Sequence, residues 1–352
     1  MMNRIIQEDL GYIVSAPLPW KELEATTFLV TGATGFLGGY FVDVLLQLRR
    51  SFGLDIKIIC LVRNPDKARD RFPNAESREL IIINADLNSP IIIDRKVDFI
   101  IHAASNATPK LFNGDPVGTA LPNTLGTINL LTLAAKQRVR GFLFFSTTGV
   151  NGFVDDALRP IDETCFGGLD PMKVAHTYLE SKRMGETLCV AWMHQYGVPI
   201  KVVRPAITYG PGIAFDDGRS YADFISCLVQ KKDITLFSDG KAIRNFCYVA
   251  DAILGIYFVL LKGEAGQAYN VATDEEISIG DLAEHLVKDV FPERNLTVRY
   301  VVDTAKDFLR VNFARTTVQI EKLKALGWHL SFPLATGFRR TVESYETGSE
   351  ST

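Results

Sequence analysis

No stretch of this chain of 352 residues supplies the roughly 20 consecutive apolar residues that crossing a bilayer requires, so no membrane-spanning role is expected. The opening MMNRIIQEDLGYIVSAPLPW lacks the apolar core of about 7–15 residues that a signal peptide carries. Cysteine is scarce, and the five present (Cys60, Cys165, Cys189, Cys227, Cys247) include no CxxC pair. That excludes a disulfide framework and points to reduced thiols in a cytoplasm. The five histidines (His102, His176, His194, His285, His329) show no metal-ligand spacing, so no metal is expected. Charge of one sign is missing too: the formal net charge is −3, which leaves no basic surface for nucleic acid. There is no internal repeat and no low-complexity linker. What remains is globular composition, 47% hydrophobic and 22% charged.

Short apolar runs recur along the first two thirds of the chain: TTFLVT, DIKIICLV, LIIIN, VDFIIH, GFLFF and VPIKVVRP. Each reads as a strand buried on both faces. Segments of helical spacing separate most of them; Phe41, Val44, Leu45 and Leu48 share one face after the first. Alternation of this kind predicts an α/β fold, a Rossmann doubly wound parallel sheet with a smaller C-terminal substrate-binding lobe. The expected boundaries are an N-terminal arm over 1–25, a dinucleotide-binding domain over 26–205 and a lobe over 206–345. Residues of about 244–272 are expected to return to the main sheet, Ser278 to cap a helix, and the final ETGSEST to fray.

Thr31-Gly32-Ala33-Thr34-Gly35-Phe36-Leu37-Gly38 lies between a strand and a helix. Gly32 permits the tight turn, Gly35 lets backbone approach a pyrophosphate, and Gly38 lets the helix pack close to the strand. The helix N-terminus then offers free N–H groups to the phosphates. This pattern calls for NAD or NADP. The second strand ends in LVRN, with Arg63 where an acidic residue would favour NAD, so NADP is slightly favoured.

Tyr178 and Lys182 stand four apart in HTYLESKRMGE, on one face of a helix. A nearby ammonium is expected to lower the tyrosine pKa, making it a general acid and base for a hydroxyl or carbonyl. Thr147, ending the preceding strand in FLFFSTT, is placed to hydrogen-bond the same oxygen.

These motifs, with ADL, IIHAAS, NTLGTINLL, YGPG, RNFCYVADA, AYNVA and LGW, make the chain similar to the extended short-chain dehydrogenase/reductases, in the NAD-dependent epimerase/dehydratase family acting on nucleotide sugars. The resemblance covers roughly residues 26–340. GLDPMKVAHTYLESKRMGETL and DDGRSYADFI most resemble the UDP-glucuronate decarboxylase branch. The resemblance implies adenine contacts from Asp86 and Leu87, and a cofactor lining from Ala103, Ala104 and Ser105. It makes Asn123 a brace and places Pro205 beside the nicotinamide. It further implies substrate contacts from Thr148, Arg219 and Arg244, with Arg310 or Arg315 as a second diphosphate arginine. It also implies a homodimer through helices near 119–137 and 175–196.

One departure from that pattern bears on the chemistry. Members that eliminate water carry Thr-Asp-Glu before Val-Tyr-Gly, and the decarboxylases keep a glutamate there. This chain reads Thr147-Thr148-Gly149-Val150-Asn151-Gly152, so both acid positions lack a carboxylate and Asn151 replaces the usual tyrosine. Hydride transfer survives that loss, and elimination loses its usual acids. The expected activity is a nucleotide-sugar 4-epimerase, UDP being the favoured carrier, working through a 4-keto intermediate. The alternatives are an NADPH-dependent 4-ketoreductase, or an unusual dehydratase or decarboxylase that draws a carboxylate, Asp162 or Glu163, from the following loop.

Overall fold

The computed structural model describes residues 3–73, 79–109, 114–301 and 313–346. Six strands form along the first two thirds: β1 (Thr26–Thr31), β2 (Ile56–Val62), β3 (Leu80–Asn84), β4 (Phe99–His102), β5 (Gly141–Phe145) and β6 (Ile200–Pro205). With the later strand Ala268–Val271 they make a parallel sheet of seven strands. Its order is β3-β2-β1-β4-β5-β6, with Ala268–Val271 beyond β6. The order reverses between β1 and β4, and the carboxyl ends of strands at such a reversal open the crevice in which doubly wound sheets bind ligands.

The apolar runs are continuous because both faces of the sheet are covered. Along β1, Phe28 and Val30 point into one core and Leu29 into the other. The first core is closed by the helices Phe36–Phe52 and Val249–Lys262, with Phe41 and Tyr257 stacked at 4.5 Å. The second is closed by Leu125–Gln137 and Thr177–Tyr196, through Leu130, Leu131 and Cys189.

The C-terminal half adds β7 (Ile207–Tyr209), β8 (Ile234–Leu236), β9 (Ile243–Tyr248), β10 (the Ala268–Val271 strand), β11 (Glu276–Ser278) and β12 (Val298–Tyr300). β7, β9 and β11 form a separate sheet of three strands, and β8 pairs β12. Of the segment 244–272, which was expected to return to the main sheet, β10 lies in that sheet, whereas β9 pairs β7 and β11 instead. Ser278 caps its helix, its Oγ accepting from Asp281 N at 3.0 Å. The frayed tail expected from ETGSEST lies outside the described residues from 347 onward.

The N-terminal arm is also corrected. Arg4–Ser15 is a helix capped by Asn3, whose side chain accepts from Ile5 N. Ile5, Leu10 and Ile13 are buried, and the helix packs on the helices Phe36–Phe52, Val249–Lys262 and Leu334–Glu346. Its polar anchor is buried Asp9, which accepts from Tyr248 Oη and from Arg340 Nη2, both at 2.7 Å. Tyr12 Oη donates to Asp251 at 3.0 Å. A buried carboxylate needs such partners, and its partners lie at the far end of the sequence. Because Leu10 is core rather than arm, Leu10→Ala is expected to cost about 2–5 kcal/mol in urea unfolding. A detached arm would give a change within about 0.5 kcal/mol.

Candidate active site

The glycine loop leaves β1 at Thr31, and its geometry explains each glycine. Gly32 has φ +72°, and a Cβ there would lie 2.6 Å from the Ala103 carbonyl carbon. At Gly38 a Cβ would lie 2.3 Å from Gly32 O, so the helix could not approach the turn. Gly35 is the exposed N-cap of the helix Phe36–Phe52, and no side chain caps those first N–H groups. Thr34, Phe36 and Leu37 line the same turn, half-buried.

Beneath the loop, Thr31 Oγ1 accepts from Ala104 N at 3.2 Å and lies 2.9 Å from His102 Nδ1. His102 Nε2 lies 3.1 Å from the Pro122 carbonyl. Burial drives the His102 pKa down to about 3, so the ring is neutral. Thr31 then donates to Nδ1, and Nε2–H donates to Pro122 O. His102 thus ties the loop to the helix Pro116–Asn123, a part that a lone histidine in the sequence did not announce.

The remaining cofactor candidates ring this crevice. Ala103, Ala104 and Ser105 follow β4, half-buried, and the buried Ser105 Oγ has no hydrogen-bond partner among the described residues. Arg63 is exposed just past β2 and makes no hydrogen bond or ion pair with a described residue. Asp86 is exposed and accepts from Asn88 N at 3.0 Å; Leu87 is buried. A glycine cradle, uncapped helix N–H groups and an orphaned hydroxyl together fit a bound dinucleotide.

Next to it, β5 delivers Ser146 and Thr147, and β6 ends at buried Pro205 beside them. Thr147 Oγ1 accepts from Gly149 N at 3.2 Å and is hydrogen-bonded to Tyr178. Tyr178 is in the first turn of the helix Thr177–Tyr196. The sequence reading expected an ammonium to lower its pKa. Instead burial pushes the phenol up to about 12, and what opposes the rise is the charge of Arg219 and the Thr147 bond. Lys182 turns its ammonium to Phe145 O at 2.6 Å, where burial drives its pKa down to about 7 against the pull of Glu186. Asn123 Nδ2 donates to Ser181 Oγ at 3.0 Å, and Ser181 Oγ donates to Tyr178 O at 2.8 Å, which links Asn123 to the first turn of that helix.

Arg219 reaches the tyrosine from the C-terminal half. It is held by Asp217, with Nη2 to Oδ2 at 2.6 Å and a second, shorter contact from Nε. Arg244 lies in another cationic cluster. It donates to the carbonyls of Ile243 and Phe313 at 2.8 and 2.9 Å, and burial with Arg159 nearby brings its pKa down to about 10. Arg315 pairs with Glu276 at 2.5 Å, and Arg310 lies outside the described residues.

Half-buried Thr148 opens the short turn Thr148–Asn151. The missing acid at 149 is more than an empty place. A Cβ on Gly149 would lie 2.6 Å from Leu179 Cδ2, a methyl group from the helix Thr177–Tyr196. Asn151 Nδ2 donates to Cys165 O at 2.7 Å and ties the turn to the following loop. Arg183, which the sequence reading missed, donates to Val150 O at 2.6 Å and Gly167 O at 2.7 Å. The loop carboxylates are engaged: Asp162 accepts from Thr164 N and Oγ1, and Glu163 Oε1 accepts from Asn270 N at 2.8 Å.

The profile of the NAD dependent epimerase/dehydratase family matches residues 28–272, and the chain belongs to that family. It is 31% identical to UDP-glucuronic acid decarboxylase 1 of Danio rerio, over 92% of this chain and 74% of the relative. Among solved structures it resembles dTDP-glucose 4,6-dehydratase from Bacillus anthracis in complex with NAD, at TM-score 0.75 and 23% identity, covering 93% of this chain and 98% of that one. It also resembles UDP-glucuronic acid 4-epimerase from Bacillus cereus in complex with UDP-glucuronic acid and NAD, at TM-score 0.75 and 21% identity, over 92% and 99%. At these identities the two structures establish the fold.

The buried lysine carries a stability consequence. Its folded pKa, about 7, is depressed below the ordinary 10.5, so between those values the folded protein binds fewer protons than the unfolded one. This site's contribution to stability therefore rises with pH across that window and is least favourable below pH 7. Lys182→Met is expected to raise Tm, and to raise it more at pH 6 than at pH 9, when both are followed by circular dichroism. An equal or falling Tm at pH 6 contradicts the buried-ammonium account.

Proposed function

We propose that the chain is a nucleotide-sugar 4-epimerase, with a UDP-sugar as substrate. The observation that carries this reading is the lack of a carboxylate at Thr148 and Gly149 in the turn beside Thr147, with Leu179 Cδ2 packed 2.6 Å from where a Cβ at 149 would lie. Around the Tyr178–Thr147 pair, the described residues present a hydride-transfer site that lacks the customary elimination acid. The decarboxylase relative's name concerns that protein, and the departure at 149 is the reason for a different reaction here.

NAD or NADP, when bound, supplies the nicotinamide that accepts and returns hydride. With the dinucleotide bound, Tyr178 would take the proton from O4 as the sugar is oxidised to its 4-keto form, and would give it back to O4 once the sugar presents its other face. Thr147 would hold the same oxygen. No net oxidant is consumed. Arg219, beside Tyr178 and fixed by Asp217, stabilises negative charge on the phenol oxygen while the proton is away. Lys182, with one N–H spent on Phe145 O, faces the same site from the helix. Arg244 would serve the sugar-nucleotide diphosphate, with Thr148 and Arg310 as further substrate contacts. Asp162 is held by Thr164 in its own loop and Glu163 by Asn270 N on β10, which does not favour a borrowed carboxylate.

If the sugar is a hexuronate, the 4-keto group is β to the carboxylate, and loss of CO2 is the competing exit. The deciding assay offers UDP-hexoses and UDP-hexuronates and follows C4 configuration and CO2 together. Expected are C4 exchange with little CO2, and a loss of about 10²–10⁴-fold in rate for Tyr178→Phe. CO2 release without any C4 exchange sinks the epimerase in favour of a decarboxylase.

The second reading, an NADPH-dependent 4-ketoreductase, is favoured by Arg63, exposed and without a partner among the described residues where an acid would select NAD. On either reading NADP is the preferred dinucleotide. Arg63→Asp is expected to weaken NADP and strengthen NAD in titration calorimetry by about tenfold each, a shift of roughly 1.4 kcal/mol per ligand. Unchanged affinities remove the role from Arg63. Val117, Leu125, Met184 and Val190 are exposed on the helices at 116–137 and 177–196, which supports the homodimer; sedimentation equilibrium tests it. Among the described residues no helix is long and apolar enough to cross a membrane, and free cysteines support a cytoplasmic location, which fractionation of source cells tests.

A further inference from the structure

A buried ion pair lies one turn beyond Lys182, and neither step of the proposed reaction uses it. Glu186 receives both arms of Arg204, Oε1 from Nε at 2.9 Å and Oε2 from Nη2 at 2.6 Å. Arg204 is 2% exposed and ends β6 just before Pro205. Its third arm, Nη1, donates to Glu163 O at 2.8 Å, and Glu163 Oε1 in turn accepts from Asn270 N on β10. The pair and its contacts therefore join the helix Thr177–Tyr196, the neighbouring strands β6 and β10 and the loop that carries Glu163.

The count of charges is uneven. Lys182 and Glu186 are four apart on one helix and share a face. Lys182 is 2% exposed, and its ammonium sits 5.0 Å over the Phe144 ring. The groups that act on it are Glu186 and Cys189 from its own helix and neutral His102 from β4, with Arg204 of β6 joined by way of Glu186. Arg204 thus holds the Glu186 carboxylate directly, and Lys182, bonded to Phe145 O, feels the same negative charge across one helical turn. In a region of little water each cation competes for the anion, and moving or removing the anion changes the proton affinity of the lysine.

We propose that Glu186 is a positioning residue: it pairs directly with Arg204, stands as counter-charge to Lys182 across one helical turn, and fixes that part of the helix to the strand that carries Pro205. The inference rests on the reading of Lys182 as part of the active site, but its test does not depend on the sugar or on turnover.

The experiment labels lysine Cε with 13C in the full-length protein and follows each signal with pH, Lys182→Met identifying the one that belongs to Lys182. Glu186→Gln is expected to lower the Lys182 midpoint by roughly one pH unit, because the lysine loses its anion while Arg204 stays. Arg204→Gln is expected to move it up, because Glu186 then serves the lysine alone. Glu186→Asp, which keeps the charge, should stay near the wild-type midpoint. Opposite movements in the first two variants separate charge sharing from loss of packing, which would move both the same way. Should Glu186→Gln fail to fold, the upward shift in Arg204→Gln carries the proposal, and an unmoved midpoint there overturns it. A midpoint that is the same in every folded variant, or that moves in one direction in both Gln variants, overturns it. C4 exchange without these shifts would leave the epimerase standing and remove only the role of Glu186.

Discussion

The ammonium of Lys182 lies buried against the Phe145 carbonyl, and the arrangement of the site follows from keeping it there. A charge taken out of water must find partners. The backbone end of β5 supplies one, the Phe144 ring another, and Glu186 the opposing charge. Meeting those demands fixes the first two turns of the helix against β5 and β6. Tyr178, one turn earlier, is thereby set beside Thr147. The cost of burying the lysine and the position of the tyrosine are two aspects of one constraint.

The same burial acts on Tyr178 with the opposite consequence for proton transfer. Desolvation strengthens its hold on the proton, and the Arg219 charge and the Thr147 bond weaken it. An epimerase needs the oxygen to accept a proton and then return it. A phenol pulled both ways suits that alternation better than one committed to the anion. Arg219 comes from beyond the parallel sheet, so the C-terminal half takes part in setting the proton affinity of Tyr178.

Much of the site was legible because its signals are local. The glycines of the loop, the spacing of Tyr178 and Lys182, and the absence of a carboxylate at 149 are each written within a few residues, and each corresponds to a single turn or contact. What was illegible is long-range. The N-terminal helix reads as an arm until its Asp9 is seen with Tyr248 and Arg340, 239 and 331 residues away along the chain. β9 has the composition of a main-sheet strand, and only its pairing with β7 and β11 places it elsewhere. The lysine was expected to lower the tyrosine pKa because the spacing shows proximity but not which way an ammonium points. Leu179 looked like an ordinary helix residue beside the tyrosine; its role depends on the missing side chain across from it.

The central claim is a redox cycle that closes on itself in a site without an elimination acid. The most direct measurement releases the nucleotide from freshly purified protein by heat and identifies it by mass spectrometry. The account predicts oxidised dinucleotide in near-stoichiometric amount, retained because each turnover restores it. Protein that carries no nucleotide, and acts only when NADPH is added and consumed, would contradict it.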